Sequence, residues 1–141
     1  MRAWLLLTAL LLTARPALAC GPCAKLLGLR ATIREAELIA VVTSREKPGL
    51  GVEWTTLAVD RVLKGKLEGT TIKARVWYGM CLYGVDLPPG SYLVFFAKSA
   101  EGWAPVHQGC AEKALPVKDG LVEAGKERLT PEALLRKMRA R

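Results

Sequence analysis

Short apolar runs separated by turns divide the chain into segments typical of β-strands. Residues 38–43 and 92–97 are almost continuously apolar, which favours strands buried on both faces. Residues 54–64 alternate between apolar and polar, as a half-buried strand does. The alternation is cleanest in residues 71–77. The side chains expected to face inward there are Ile72, Ala74 and Val76, and those expected to face outward are Lys73 and Arg75.

Shorter elements follow and precede these strands. Residues 103–107 predict a short fifth strand, and residues 32–36 predict one helical turn ahead of the first strand. Asp119-Gly120 lies between two apolar runs and predicts a hairpin. Thr130, followed by a proline and an acid, has the features of a helix N-cap. The apolar stripe of that helix consists of Leu134, Leu135 and Met138.

This order of elements predicts a mainly β protein. Five main strands of similar length, followed by a hairpin and a helix, favour a small antiparallel barrel or sandwich. The sequence contains no internal repeat and no low-complexity segment.

Residues 1–19 predict a cleaved signal peptide. Arg2 is followed by an apolar stretch at residues 5–12 and then by Ala17-Leu18-Ala19, a small-x-small cleavage pattern. The apolar stretch is too short to span a bilayer core of about 30 Å, so no transmembrane segment is expected. Cleavage would leave 122 of the 141 residues, the size of one ordinary domain. Loss of Arg2 and Arg15 would lower the net charge from +8 to +6. We therefore expect an exported protein, periplasmic or extracellular.

The four cysteines all follow the predicted cleavage site. Cys20, Cys23, Cys81 and Cys110 form an even set in a small exported chain, which predicts a disulfide framework with three pairings open. Bridges that close long loops would each stabilise the fold by up to about 4–5 kcal/mol. A structural zinc site is less favoured, because only His107 could assist the cysteines.

Cys20-Gly21-Pro22-Cys23 allows two further interpretations. The motif is typical of thioredoxins, whose reactive thiolate follows a strand and begins a helix. Only the signal precedes it here, so a thiol-disulfide redox protein using Cys20 and Cys23 is the less favoured alternative. Lipid attachment at Cys20 is a minority alternative, because Ala17 occupies the position where lipoproteins usually carry leucine.

Several features together resemble one family. They are the cysteine pair after the signal, the apolar strand at 38–43, Val59-Asp60-Arg61-Val62-Leu63-Lys64-Gly65, Cys81, Pro89-Gly90-Ser91-Tyr92-Leu93-Val94-Phe95 and Gly109-Cys110. This arrangement resembles the netrin-like module, and within it the tissue inhibitor of metalloproteinases family and its bacterial relatives. The resemblance covers about residues 20–117 and leaves residues 118–141 for the rest of the hairpin and the C-terminal helix.

The resemblance implies a fold, a disulfide pairing and an activity. It implies a five-stranded OB-like antiparallel barrel with the disulfides Cys20–Cys81 and Cys23–Cys110. It also implies that residues Cys20 to Cys23 contact a zinc metalloprotease. In that family the α-amino nitrogen and the carbonyl oxygen of the first cysteine chelate the protease's zinc. Zinc in such enzymes keeps an open position, and a terminal amine is a good ligand for it. The protein itself would hold no metal.

The chain departs from the family in two ways at the implied protease contact. The family has one residue between its first two cysteines, whereas Gly21 and Pro22 stand between Cys20 and Cys23. Gly21 also has no side chain to enter the protease's specificity pocket, which forfeits about 1–3 kcal/mol of burial. The alternative is therefore a non-inhibitory interaction or structural module of the cell envelope.

Other functions find little basis in the sequence. No nucleophile-base set, phosphate loop or paired acid motif is visible, so neither an enzyme nor a cofactor is expected. Aromatic residues on an OB barrel can stack on single-stranded nucleic acid. The residues of that type are Trp54, Trp77, Trp103, Tyr78, Tyr83 and Tyr92. An exported, disulfide-bonded protein rarely meets nucleic acid, so we expect no such partner.

Overall fold

The computed structural model describes residues 26–47, 49, 52–76, 85 and 87–140. The predicted signal peptide, the Cys20–Cys23 segment, Trp77 and Cys81 lie outside these residues. Within them, no helix is both long enough and apolar enough to cross a membrane.

Eight strands and two α-helices make up the described part of the fold. The strands are β1 (Leu38–Ser44), β2 (Trp54–Lys64), β3 (Thr71–Arg75), β4 (Gly90–Lys98), β5 (Trp103–Pro105), β6 (Ala114–Lys118), β7 (Leu121–Ala124) and β8 (Glu127–Leu129). The helices are α1 (Leu29–Glu35) and α2 (Pro131–Arg139), and Val106–Gly109 forms a 3-10 helix.

Five strands close into a barrel in the order β1-β2-β3-β5-β4, with β4 pairing back onto β1. Ile39 of β1 lies opposite Lys64 of β2 on one side and opposite Phe95 of β4 on the other. The remaining three strands extend the sheet from β4 and lie outside the barrel. The predicted fold class, a mainly β, OB-like five-stranded barrel with a C-terminal hairpin and helix, is thus confirmed.

One pairing in the barrel is parallel rather than antiparallel. Ala74 of β3 pairs in parallel with Trp103 of β5, whereas the other barrel pairs are antiparallel. The reason is geometric: strand directions cannot alternate all the way around a closed ring with an odd number of strands. The predicted antiparallel barrel therefore contains one parallel seam.

Two hydrophobic cores lie on opposite faces of β1 and β4. The inner core fills the barrel and includes Leu38 and Phe96, whereas the outer core lies under the helices and includes Ile39 and Phe95. All four side chains are fully buried. This arrangement explains the continuous apolar runs, because successive residues point alternately into two apolar environments.

Most of the predicted elements are confirmed near their predicted bounds. β2 spans residues 54–64, and β3 buries Ile72 and Ala74 while Lys73 stays exposed. Asp119 and Gly120 have φ values of 53° and 74°, as expected for a turn with two left-handed residues between β6 and β7. The hydroxyl oxygen of Thr130 accepts a hydrogen bond from the Ala133 amide at 3.2 Å and caps α2.

Three elements differ from the prediction. Helix α1 spans Leu29–Glu35, where one helical turn was predicted over residues 32–36. The strand predicted over residues 103–107 ends at Pro105, and His107 lies in the following 3-10 helix with a φ of 50°. A proline has no amide hydrogen for a further ladder bond, which favours the end of the strand there. Strand β8 was not predicted, because it has only three residues and pairs with β7 through a mostly exposed, polar segment.

Candidate functional site

We use the term ridge for residues Cys20 to Cys23, which are predicted to contact a protease. The candidate site is the place where the chain that follows the ridge attaches to the barrel. The ridge residues Cys20, Gly21, Pro22 and Cys23 lie outside the described residues, and so does Cys81. We use the term anchor for residues 27–36 together with residues 110–112. The backbone amide of Leu27 donates a hydrogen bond to the carbonyl oxygen of Cys110 at 2.9 Å, and this bond joins the two parts of the anchor.

Cys110 stands at the end of the 3-10 helix. Its backbone amide donates to the carbonyl oxygen of His107 at 3.0 Å, which closes the last turn. The remaining three cysteines of the sequence are outside the described ranges. The pairing Cys23–Cys110 with Cys20–Cys81 therefore stays a prediction.

Thr32 links the two parts of the anchor a second time. Its side chain is fully buried. The hydroxyl group donates to the Gly28 carbonyl oxygen at 3.1 Å and accepts from the Glu112 amide at 3.3 Å. Because a buried hydroxyl without partners would be costly, these bonds fix α1 against the strand that follows Cys110.

Lys64 fastens the other end of α1 to the barrel. Its ammonium group donates to the carbonyl oxygens of Ile33 at 2.9 Å and Arg34 at 2.8 Å. These carbonyls belong to the last turn of the helix, where intrahelical donors are lacking. The pKa of Lys64 is lowered mainly by burial and, to a smaller extent, by the positive charge of Arg139.

Lys64 also supplies a test of the anchor. We expect Lys64→Met to lower the free energy of unfolding by about 1–2 kcal/mol, because two hydrogen bonds to helix carbonyls are lost. The pKa of Lys64 is lower in the folded than in the unfolded protein, so loss of its proton stabilises the folded state relative to the unfolded state. This pH-dependent stabilisation is complete above the ordinary pKa of 10.5. It is lost as pH falls through the folded pKa. Urea unfolding across that range checks both effects, and Lys126→Met, at an exposed turn lysine, should change little.

His107 contacts α1 rather than lying on a strand. Its Nε2 atom contacts the Oε2 atom of Glu35, and both side chains are exposed. The described residues contain no group of three or more histidine, cysteine or acidic side chains placed to hold a metal ion. The contact instead joins the 3-10 helix beside Cys110 to the end of α1.

The sequence identified the cysteines of this region but not the side chains that hold it. The hydrogen bonds of Thr32 and Lys64 join residues that are far apart in the sequence, at separations of 80, 31 and 30 residues. Lys64 was part of the motif that carried the family resemblance, yet no local pattern assigns it a role. Its position at a strand end, directly before a glycine, is the one signal that was available.

Comparison of the chain with protein-family models, with characterised proteins and with solved structures gives no match.

Proposed function

We propose that the chain is an exported, disulfide-bonded binding protein that inhibits zinc metalloproteases through the N-terminus formed at Cys20. The proposal takes its mechanism from the family resemblance. The observation that carries it here is the 2.9 Å hydrogen bond between the Leu27 amide and the Cys110 carbonyl oxygen, made on a closed OB-like barrel. This bond supports an N-terminal ridge that begins from a fixed point.

The spacing of the sequence supports the same arrangement. Cys23 precedes Leu27 by four residues, which span at most about 14 Å when fully extended. A disulfide needs Cα atoms within about 7 Å of each other. Cys23 is thus able to reach Cys110, as the implied pairing requires. A ridge tied at both its disulfides and at Leu27 would lose little conformational entropy when it enters a protease.

Chelation of the protease's zinc requires only two ligand atoms from this chain. In the proposed complex, the α-amino nitrogen and the carbonyl oxygen of Cys20 occupy the open position of the protease's zinc. The amine must be unprotonated to bind, and the ordinary pKa of such an amine is about 8, so the metal needs to displace its proton only partly at neutral pH. The displaced group is the zinc-bound water that the protease uses for hydrolysis.

The test compares the intact N-terminus with blocked forms. The mature, oxidised protein is assayed against a panel of zinc proteases, and its inhibition constant is compared with that of a form carrying one added alanine before Cys20. We expect the extension to weaken inhibition by about a hundredfold or more, because the amine no longer reaches the zinc. An alanine added after Arg141 is the matched control and should leave the inhibition constant unchanged.

Acetylation of the Cys20 amine decides between chelation and simple occlusion. Inhibition that survives acetylation contradicts the proposed mechanism. The non-inhibitory interaction module is favoured instead if no zinc protease is inhibited and the protein binds an envelope component whether its N-terminus is free or blocked. Disulfide mapping of the same sample checks the Cys20–Cys81 and Cys23–Cys110 pairing, and a Cys20–Cys23 bridge would favour the redox alternative.

A further inference from the structure

A groove of about 930 Å³ lies on the barrel, apart from the anchor. Its walls come from the β2–β3 connection, from β3, from the end of β4 and from the start of β5. The ionisable side chains that line it are Lys66, Glu68, Lys73 and Lys98. Three positive charges against one negative charge give the groove a net charge of +2.

The lysines of this groove are available to a ligand. Lys66, Lys73 and Lys98 are all exposed. Among the described residues, none of the three forms an ion pair with a carboxylate. Lys73 makes a single notable contact, with its ammonium nitrogen 5.0 Å from the centre of the Trp54 ring. The three ammonium groups thus face solvent from three different segments around one depression.

One tryptophan is built into the wall of the groove. Trp103 begins β5 and lines the groove, half-buried. It follows Gly102, where a Cβ atom would stand 2.6 Å from the Lys73 carbonyl oxygen and 3.2 Å from the Trp54 ring. The absence of a side chain at Gly102 therefore allows β5 to approach β3 closely, and this approach sets Trp103 beside the lysines.

We propose that this groove binds a segment of an acidic polysaccharide. Sulfate or carboxylate groups spaced along the chain would pair with Lys66, Lys73 and Lys98, whose ammonium groups act as flexible point charges. The indole of Trp103 offers apolar area to the face of a sugar ring. The groove shares no residue with the anchor, and binding there does not depend on the Cys20 terminus.

Single-stranded nucleic acid fits the groove less well. Binding of that kind needs several open aromatic faces on which successive bases stack. The neighbouring Trp54 is already covered by cations, with Lys73 at 5.0 Å and the Arg75 guanidinium carbon at 5.6 Å from its centroid. Among the described aromatic residues lining the groove, Trp103 is the one available. Charge without a stacking platform favours the polysaccharide.

The experiment titrates the full exported protein with a heparin-derived hexasaccharide at low salt. The groove variant is Lys66→Gln/Lys98→Gln, which leaves the Lys73–Trp54 contact intact. The matched control is Lys118→Gln/Lys126→Gln, which removes the same charge from exposed positions outside the groove. We expect the dissociation constant to rise about tenfold or more in the groove variant and less than twofold in the control. The Trp103 indole resonance should shift during titration of the unaltered protein.

Two outcomes would overturn the proposal. An equal loss of affinity in the two double variants would mean that the hexasaccharide responds only to the overall positive charge. Tighter binding of an oligothymidine that is weakened by the groove variant would assign the groove to nucleic acid instead. Because both double variants retain the Cys20 terminus, their inhibition of zinc proteases should be unchanged, which keeps this result separate from the test of the proposed function.

Discussion

Gly65→Ala is expected to lower the free energy of unfolding by about 3 kcal/mol or more, whereas Gly69→Ala is expected to cost about 1 kcal/mol. Both glycines have a left-handed backbone, with φ values of 90° and 89°. An alanine at either position therefore meets a similar conformational penalty. The difference between the two variants isolates what surrounds Gly65.

The surroundings of Gly65 consist of backbone. A Cβ atom there would lie 2.2 Å from the carbonyl oxygen of Glu37 and 3.4 Å from the Cα atom of Leu38, whereas nothing lies within 4 Å at Gly69. The chain entering β1 cannot move away without disturbing its pairing with β2 and β4. Gly65 also follows Lys64, so the same displacement would weaken the bonds that hold α1.

Urea unfolding of the two variants, with an unchanged dependence of the free energy on urea, measures the difference. Equal losses of stability in Gly65→Ala and Gly69→Ala would contradict the close approach of Gly65 to the start of β1. A thermal melt is a useful second measurement, because a loss of that size should lower the melting temperature by more than 10 °C in a domain of this length.

The strands could be predicted because their signals are local. Residues 71–75 alternate because one face of β3 is buried and the other is solvated, so the pattern and its orientation are both visible in the sequence. The runs that became β1 and β4 are different. They are apolar on both faces, so the sequence predicts two-sided burial but cannot tell which side chains enter the barrel and which lie under the helices.

Features that depend on contacts between distant segments could not be predicted. The parallel seam at Ala74 and Trp103 follows from closing a ring of five strands, not from any property of β5 itself. The groove has the same origin, because its three lysines come from segments that only the barrel brings together. Lys73 was correctly predicted to point outward, yet its neighbours there were unknown from the sequence.

The candidate site combines both situations. The cysteine spacing, which includes Gly109-Cys110, drew attention to this region because thiols carry chemistry that a sequence shows directly. The anchor itself rests on the Thr32 hydroxyl group and on the backbone bond from Leu27 to Cys110. The backbone bond joins main-chain atoms that do not depend on the type of side chain. Such bonds leave no trace in composition or periodicity, so the support of the site emerged only from the fold.

Phe95→Ala and Phe96→Ala are each expected to lower the free energy of unfolding by about 3–5 kcal/mol. Both side chains are fully buried, and truncation of a buried phenylalanine removes apolar burial and leaves a cavity. The two residues are neighbours on β4 with the same chemistry, but they belong to different cores. Phe96 packs inside the barrel, whereas Phe95 packs with residues of α1 and α2.

This difference predicts a local effect that global unfolding does not show. In Phe95→Ala the cavity opens in the outer core, which also contains Ile33 of α1 and Leu134 of α2. The amide of Leu27, which bonds to Cys110, should then exchange its hydrogen faster than the amides of the barrel strands. In Phe96→Ala the loss lies in the barrel interior, so the exchange of Leu27 should accelerate no more than that of the strands.

Native-state hydrogen exchange followed by NMR distinguishes the two variants residue by residue. If Leu27 responds identically to both, relative to the strand amides, the outer core does not support the anchor. A selective response to Phe95→Ala also has a functional consequence. A ridge that begins from a loosened Leu27 would have to be ordered on binding. The proposed inhibition should therefore weaken more in Phe95→Ala than in Phe96→Ala under conditions where both variants remain folded.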